Sequence, residues 1–477
     1  MSKMVSEHAK LYRNVLRELR RSVASHRKVN RTVAVNFRSI VENMRKSESA
    51  QVRHDLENAA LFLRSQREHK AYARFMTPVH PTTRLLKCDP ACISFLASSD
   101  LPSISSQETS QALATAALHL QNLETVVFPT ETVYGLGALA LDASAASKIF
   151  STKGRPPDNP LIVHVSSFAM LRTLLPPDYM LSEAYQALMK HFWPGALTLL
   201  FPRNADVVPT IISANQPTVA IRMPSHPVAR ALIAVANAPL AAPSANTSGK
   251  PSPTRAEHVQ QDLEGKTGII LDGGPCGVGV ESTVVDGLHE DGNIRVLRPG
   301  GVTVEEIERV LEKEMTGHIP KVLVHRRDFR DEAIEHAPTT PGMKYRHYSP
   351  SVPVTLLFTS SSPPENTRPM TITSFINALI HSKLDEDQCK IGMMATDESK
   401  IWDHLHTASG IEWHRYSLGS VTEPAAAAHL LFDGLLTLDR AGVDQILIEE
   451  VHESREGLAV MNRVRKAAGE SIWLTID

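Results

Sequence analysis

The sequence predicts an α/β fold built from a larger α/β domain and a smaller doubly wound α/β domain, preceded by an all-α module. Three observations carry that expectation. Apolar residues recur at helical spacing near the start; short β-branched runs alternate with helical stretches from Leu113 onward; and stretches rich in Pro, Ser and Thr separate the periodic segments.

Taken in order, Leu11, Val15 and Leu19, then Val33, Phe37, Ile40, Val41 and Met44, then Val52, Leu56, Ala59 and Leu63 form helical stripes, so residues 5–75 read as a small bundle. The module is bounded at 1–76. Over 77–106 the periodicity dissolves into Pro, Ser and Thr, which reads as a linker. The larger domain is expected over 107–304, with strands at Thr125–Phe128, Leu161–Val165, Thr218–Ile221, Ile269–Leu271, Ser282–Val285 and Ile294–Leu297. A second linker is expected over 305–352. The smaller domain follows over 353–477, with strands at Val354–Phe358, Ile391–Met394 and Gln445–Val451 and helices near Ser374–Lys383 and Pro424–Arg440.

Composition narrows the chemistry. At 477 residues, 42% hydrophobic and 21% charged, the chain is ordinary for an intracellular soluble protein of two or three domains. No apolar run approaches the ~18 residues needed to cross a bilayer, and no secretory signal opens the chain, so no membrane partner is expected. Cys88, Cys92, Cys276 and Cys389 are too few and too scattered for a disulfide framework or a zinc module, and no protein-bound metal is expected. The net charge of −2 conceals an asymmetry: residues 1–76 carry 17 Lys+Arg against 7 Asp+Glu, leaving 33 against 45 in the remainder. An acidic body grips a nucleic-acid backbone poorly, so the larger part is expected to handle small molecules and not RNA itself.

The residues that carry chemistry concentrate in the larger domain. Phe128-Pro-Thr-Glu-Thr-Val-Tyr-Gly-Leu-Gly137 runs a buried strand into a glycine turn, where α/β sheets present hydroxyl and backbone N–H groups. Alone it is equally a strand end whose threonines cap the next turn. Lys153-Gly-Arg-Pro-Pro-Asp-Asn-Pro-Leu-Ile-Val-His164 sets two cations about a glycine, stiffened by prolines. That suits a clamp on phosphate oxygens, with Arg155 forked and Lys153 a point charge; a solvated loop is the plain alternative. Ala241-Ala-Pro-Ser-Ala-Asn-Thr-Ser-Gly-Lys-Pro-Ser-Pro253 packs hydroxyl and amide side chains into an irregular loop, and such groups satisfy either backbone or ligand. Gly277-Val-Gly-Val-Glu-Ser-Thr-Val-Val-Asp286 and Leu297-Arg-Pro-Gly-Gly301 place polar groups beside glycine at strand boundaries.

In this order, PTETVYGLG, KGRPPDNPLIVHV, TVAIRMP, APSANTSGKPSPT, ESTVVD and LRPG resemble the YrdC-like domain of threonylcarbamoyl-AMP synthases. Thr340-Pro-Gly-Met-Lys-Tyr-Arg-His-Tyr-Ser-Pro350 resembles the linker of the two-domain members. Gly457-Leu-Ala-Val-Met-Asn-Arg-Val-Arg-Lys-Ala-Ala468 resembles the end of their second domain. The resemblance spans about Gln107 to the C-terminus. It implies formation of threonylcarbamoyl-AMP and pyrophosphate from L-threonine, bicarbonate or CO2, and ATP with its Mg2+. The product would pass to a tRNA threonylcarbamoyl transferase complex, for the N6-threonylcarbamoyladenosine modification at position 37 of tRNAs reading codons that begin with A.

The same resemblance distributes roles. Thr132, His164, Arg222, Ala242 and Ser282 would surround threonine, with Arg222 taking its carboxylate. Lys153 and Arg155 would be catalytic, and with Asn159, Thr218, Ser244, Ser252 and Arg298 would hold ATP. Tyr345 or Tyr348 of the linker would close over the nucleotide as a lid.

Leu11-Tyr-Arg13 with Leu61-Phe-Leu-Arg-Ser-Gln-Arg-Glu-His-Lys70 resembles the LYR-motif proteins that assist mitochondrial ATP synthase assembly, which implies a mitochondrial partner for the module. The enzyme is expected in the cytoplasm with a mitochondrial pool. Two other function classes compete with it: a mitochondrial assembly adaptor, and a non-catalytic RNA-binding module on the same fold.

Overall fold

Alternation of strands with amphipathic helices resolves in the computed structural model into two sheets within one unit, Pro81–Asp477. The structure describes residues 82–96, 99–331, 338–340, 347–359, 367–381 and 389–475. The helical module expected over 1–76, with its Leu11-Tyr-Arg13 motif, lies outside the described residues, as does Tyr345.

The larger sheet is assembled from β1 (Arg84–Lys87), β4 (Val126–Phe128), β5 (Gly135–Leu139), β6 (Ile162–His164), β7 (Leu197–Pro202) and β8 (Thr218–Arg222), together with β9 (Leu240–Ala241), β10 (Ile269–Asp272), β11 (Thr283–Asp286), β12 (Ile294–Arg298) and β13 (Val322–Val324). A hairpin of β2 (Ile93–Phe95) and β3 (Pro102–Ile104) stands apart from it. The eleven strands run β1-β10-β4-β5-β9-β6-β8-β7-β11-β12-β13. On one face the helices Gln107–Gln121 and Pro227–Ala236 bury Leu113, Leu120 and Leu232 against Val126, Phe128 and Leu271. On the other, Ile149, Leu188 and Leu311 pack on Val163, Leu199 and Ile221.

Two expected linkers turn out to be structured. β1 lies within 77–106 and pairs parallel with β10, register Arg84↔Ile269 to Lys87↔Asp272. Four residues at a sheet edge carry too little alternation to register as a strand among so many breakers. Within 305–352, the helix Val304–Glu314 begins on a reciprocal capping box between Thr303 and Glu306 and buries Ile307 and Leu311, each worth ~1.5–3 kcal/mol. β13 then extends the larger sheet beside β12.

The second sheet is parallel throughout, in the order β15-β19-β14-β18-β16-β17, from β14 (Val354–Phe358), β15 (Arg368–Thr371), β16 (Cys389–Ala395), β17 (Ile411–Ser417), β18 (Gln445–Glu449) and β19 (Glu470–Thr475). Helices cover both faces, with Ile372–His381 and Lys400–Leu405 on one and Pro424–Arg440 and Glu456–Ala467 on the other, which is the doubly wound arrangement. No described helix is long and apolar enough to cross a membrane.

The two sheets meet through Pro424–Arg440 and Glu456–Ala467. His429 Nδ1 bonds the Gly277 carbonyl oxygen at 3.0 Å, Arg255 Nε pairs with Asp433 at 2.7 Å, and Arg440 Nη2 donates to Gln261 at 2.6 Å. Gly279 sits at φ +83 with backbone so close that a Cβ would collide with His429 Cα and its carbonyl oxygen. Gly154 also has a positive φ, +62, but nothing lies within 4 Å of where its Cβ would be. Gly279→Ala is therefore expected to destabilise by ~2 kcal/mol or more and Gly154→Ala by ~1–2 kcal/mol, read as urea midpoints at unchanged slope. Equal shifts would mean that the domain contact at Gly279 yields freely.

Candidate active site

Period-two alternation sets up the site. On β6 and β8, which run parallel with His164 opposite Arg222, Ile162 and His164 share one face with Thr218, Ala220 and Arg222. At the carboxyl ends of β4, β6, β8 and β12 the chain therefore delivers Thr130, His164, Arg222 and Arg298 to one crevice, the usual ligand position of an open α/β sheet. The helix Ala143–Lys153 is capped by Asp142 at its start and stopped by left-handed Gly154, which puts Lys153 and Arg155 on either side of a tight turn facing the same space. The resulting crevice encloses about 720 Å³ of space between its walls, part of it open to solvent.

Its wall includes Thr132, Lys153, Arg155, His164, Arg222, Ala242, Ser244, Ser252, Ser282 and Arg298, joined by His347 and Tyr348 from the connection to the second domain. Asn159 and Thr218 are not in the wall. Asn159 flanks it, its carbonyl oxygen accepting from Arg155 Nε at 3.1 Å. Thr218 lies on the cavity-side face of β8 but four residues, ~13 Å, from Arg222. Asn159 Oδ1 and Thr218 Oγ1 are buried without a hydrogen-bond partner. Tyr348 lines the cavity, its ring 5.1 Å from Phe432 in the second domain.

Each cation in the wall already has a protein partner. Lys153 is buried with its ammonium on the carbonyl oxygens of Ser244 and Asn246, so it ties the helix end to the 241–253 loop. Burial, aided by the neighbouring Arg155 charge, pushes its pKa well down. Arg155 Nη2 donates to the Pro160 carbonyl oxygen at 2.8 Å. Arg222 stands 2.5 Å from Glu131 Oε1 and donates to Thr132 Oγ1 at 2.9 Å and Gly195 O at 3.0 Å. Arg298 Nη2 donates to Ser282 O at 2.8 Å, and Ser282 Oγ is 2.7 Å from Thr198 Oγ1. In the loop, Asn246 Nδ2 bonds the carbonyl oxygens of Thr247 and Lys250 at 2.9 Å each, so part of its polar density serves the loop itself.

Glu131, Glu281 and Arg463 belong to this constellation without having been singled out as site residues, although all three lie inside the quoted motifs. A carboxylate within an otherwise cationic and hydroxyl-rich motif was the available signal. Glu281 accepts from Ser252 Oγ at 2.6 Å and from Arg463 Nε at 3.1 Å. Burial works to raise its pKa, but Arg463, Arg298 and the serine outweigh it and hold the carboxyl at about 2.

Residues 119–300 match the Sua5/yciO/yrdC family, described as telomere recombination, and residues 302–469 match the C-terminal domain of threonylcarbamoyl-AMP synthase. The threonylcarbamoyl-AMP synthase of Schizosaccharomyces pombe is 43% identical over 387 residues, covering 77% of this chain and 90% of that protein. The chain belongs to the threonylcarbamoyl-AMP synthase family. The Bacillus subtilis synthase is 42% identical over 357 residues, 75% of this chain and 93% of its own length. Among solved structures, P. abyssi Sua5 complexed with L-threonine superposes with a TM-score of 0.63 at 39% identity, over 82% of this chain and 100% of that one.

His164 has a distinct electrostatic position within this family site. Burial, then the Arg222 charge, lowers its pKa from 6.5 to about 3, so the ring is neutral near pH 7, its Nδ1 3.2 Å from the Ile162 carbonyl oxygen. Because the folded pKa lies below the unfolded one, the stability tied to the neutral ring is complete above pH 6.5 and is lost as pH falls toward 3. His164→Gln is expected to flatten the decline of melting temperature between pH 6.5 and 4. Part of the decline persists through His347, whose pKa burial and then Arg155 lower to about 4. Superimposable pH profiles for wild type and variant would count against a buried neutral ring.

Proposed function

We propose that this chain is an L-threonylcarbamoyladenylate synthase, a nucleotidyltransferase that joins L-threonine, bicarbonate or CO2, and ATP and releases pyrophosphate. The observation that supports this best is the gathering of four buried cations, Lys153, Arg155, Arg222 and Arg298, with the hydroxyls of Thr132, Ser252 and Ser282 around one cavity in a chain of this family.

In this reading the threonine carboxylate lies against Arg222, the cation among Thr132, His164, Ala242 and Ser282. The neutral threonine amine adds to CO2 and gives up one proton to solvent, and the new carboxylate attacks the α-phosphorus as the bond to the bridging oxygen breaks and pyrophosphate leaves. Nothing need be attached covalently to the protein. Its task is to align the two reactants and neutralise phosphate charge, which suits cations, hydroxyls and amides better than a nucleophile–base pair. Lys153, Arg155, Ser244, Ser252 and Arg298 serve the ATP. Asn159 and Thr218, whose buried polar atoms lack partners, are assigned to its far end. Magnesium enters as part of the ATP substrate, held by the phosphates. His347 and Tyr348, both in the cavity wall, cover the site as a lid.

The adenylate is then a substrate for a tRNA threonylcarbamoyl transferase complex, acting in the cytoplasm with a mitochondrial pool. Only the sequence resemblance supports a separate LYR-type contact to a mitochondrial partner for residues 1–76.

Purified protein incubated with ATP, magnesium, carbon-labelled bicarbonate and L-threonine is expected to give labelled adenylate and stoichiometric pyrophosphate. Both should disappear in Arg155→Ala and Lys153→Ala. A folded wild-type protein that makes neither product would overturn the reading. With serine in place of threonine, kcat/KM should fall about ten- to two-hundredfold, the reach of one methyl group in an apolar pocket. Equal rates would remove the threonine assignment while keeping adenylate formation.

A further inference from the structure

Arg463 comes from the second domain, on the helix Glu456–Ala467, yet it is the largest fully buried side chain of the described residues, with no exposed surface. Its Nε lies 3.1 Å from Glu281 Oε2, and its Nη1 donates to the carbonyl oxygens of Pro299 and Ala459. The other oxygen of Glu281 accepts from Ser252 Oγ at 2.6 Å. Glu281 immediately precedes Ser282, whose carbonyl and hydroxyl oxygens receive the Arg298 guanidinium, and Pro299 immediately follows Arg298. One guanidinium from the second domain thus bears directly on the segments that supply Ser282 and Arg298, and through Glu281 on Ser252, all three in the cavity wall.

We infer that Arg463 is a positioning residue for the nucleotide: through Glu281 and the Pro299 carbonyl it holds Ser252 and Arg298 in the places from which they meet ATP. This rests on the synthase reading above. Glu281 without Arg463 is a buried carboxylate between a serine and the Arg298 side of the cavity, free to turn onto Arg298 and draw it from the phosphates. With Arg463 in place, the carboxylate is occupied on one oxygen and orients Ser252 with the other. The second domain therefore contributes to ATP binding without lining the cavity at Arg463 itself. At the threonine end, Arg222 is held by Glu131, Thr132 and the Gly195 carbonyl oxygen and His164 by the Ile162 carbonyl oxygen, and the Arg298–Ser282 contact joins the two ends.

The test uses the full chain and reads KM for ATP, KM for threonine, kcat and melting temperature together. Arg463→Ala is expected to raise the ATP KM about ten- to a hundredfold, with the threonine KM within twofold of wild type. The double variant Arg463→Met, Glu281→Gln removes both members of the pair while Arg298 keeps the Ser282 carbonyl oxygen; its melting temperature reports whether it is folded, and it should show the same selective rise. Arg463→Lys should recover part of the ATP affinity. Arg255→Ala, which severs an exposed ion pair between the same two domains, should leave the ATP KM unchanged. An ATP KM within twofold of wild type in the folded double variant overturns the inference, as does an equal rise in both KM values, the mark of loosened structure alone. Wild-type protein that forms no labelled adenylate would instead defeat the synthase reading.

Discussion

Burying positive charge is the constraint on which the rest of this structure depends. Lys153, Arg155, Arg222 and Arg298 are all nearly inaccessible to water around a single cavity, and isolated cations there would cost several kcal/mol each. The fold answers with two carboxylates, Glu131 and Glu281, and with main-chain carbonyl oxygens at Gly195, Asn159, Pro160, Ser244, Asn246 and Ser282. Carbonyl dipoles stabilise a cation without cancelling its charge. The cavity accordingly stays positive while every cation is solvated by protein, an arrangement suited to a polyanionic ligand.

Sheet topology supplies the acceptors where they are needed. The parallel register of β6 and β8 sets His164 opposite Arg222, and the antiparallel pairing of β7 with β8 sets Thr198 opposite Arg222 and within reach of Ser282. The irregular loops then close over the ends of these strands. Lys153 fastens one of them, 241–253, from below, and Arg463 braces the other side from a separate domain. Rigid strands set positions to within a fraction of an ångström, and loops supply the variety of donors.

Much of this was legible in the sequence where periodicity and motif coincide. β14 and the helix Pro424–Arg440 have the bounds that their apolar patterns indicate, and the strands ending at Phe128, His164 and Arg222 fall within a residue or two of their expected ends. The wall residues were legible because glycine, proline and a functional side chain occur together, as at Lys153-Gly-Arg155. Short edge strands were not: β1 and β13 are three or four residues long, and β1 owes its existence to β10, far along the chain. Nor were the partners of the charges. Glu131 and Glu281 each sit one residue from a side chain assigned to the site, but only three-dimensional pairing shows which cation they neutralise. Arg463 is separated from Glu281 by 182 residues, a distance over which spacing carries no signal.

The satisfied state of the cations has a consequence for energetics. Since Arg222 already holds Glu131 and Lys153 already holds two carbonyl groups, an arriving ligand does not fill vacant sites; it trades places with partners that are tethered and close at hand. Net affinity is then the difference between the incoming bonds and those surrendered, and it stays moderate even though each individual contact is charge-assisted. The same exchange runs in reverse when product departs, because the internal partners return as the ligand loosens. A site built on substitution lets go of a highly charged product without ever exposing a bare buried cation.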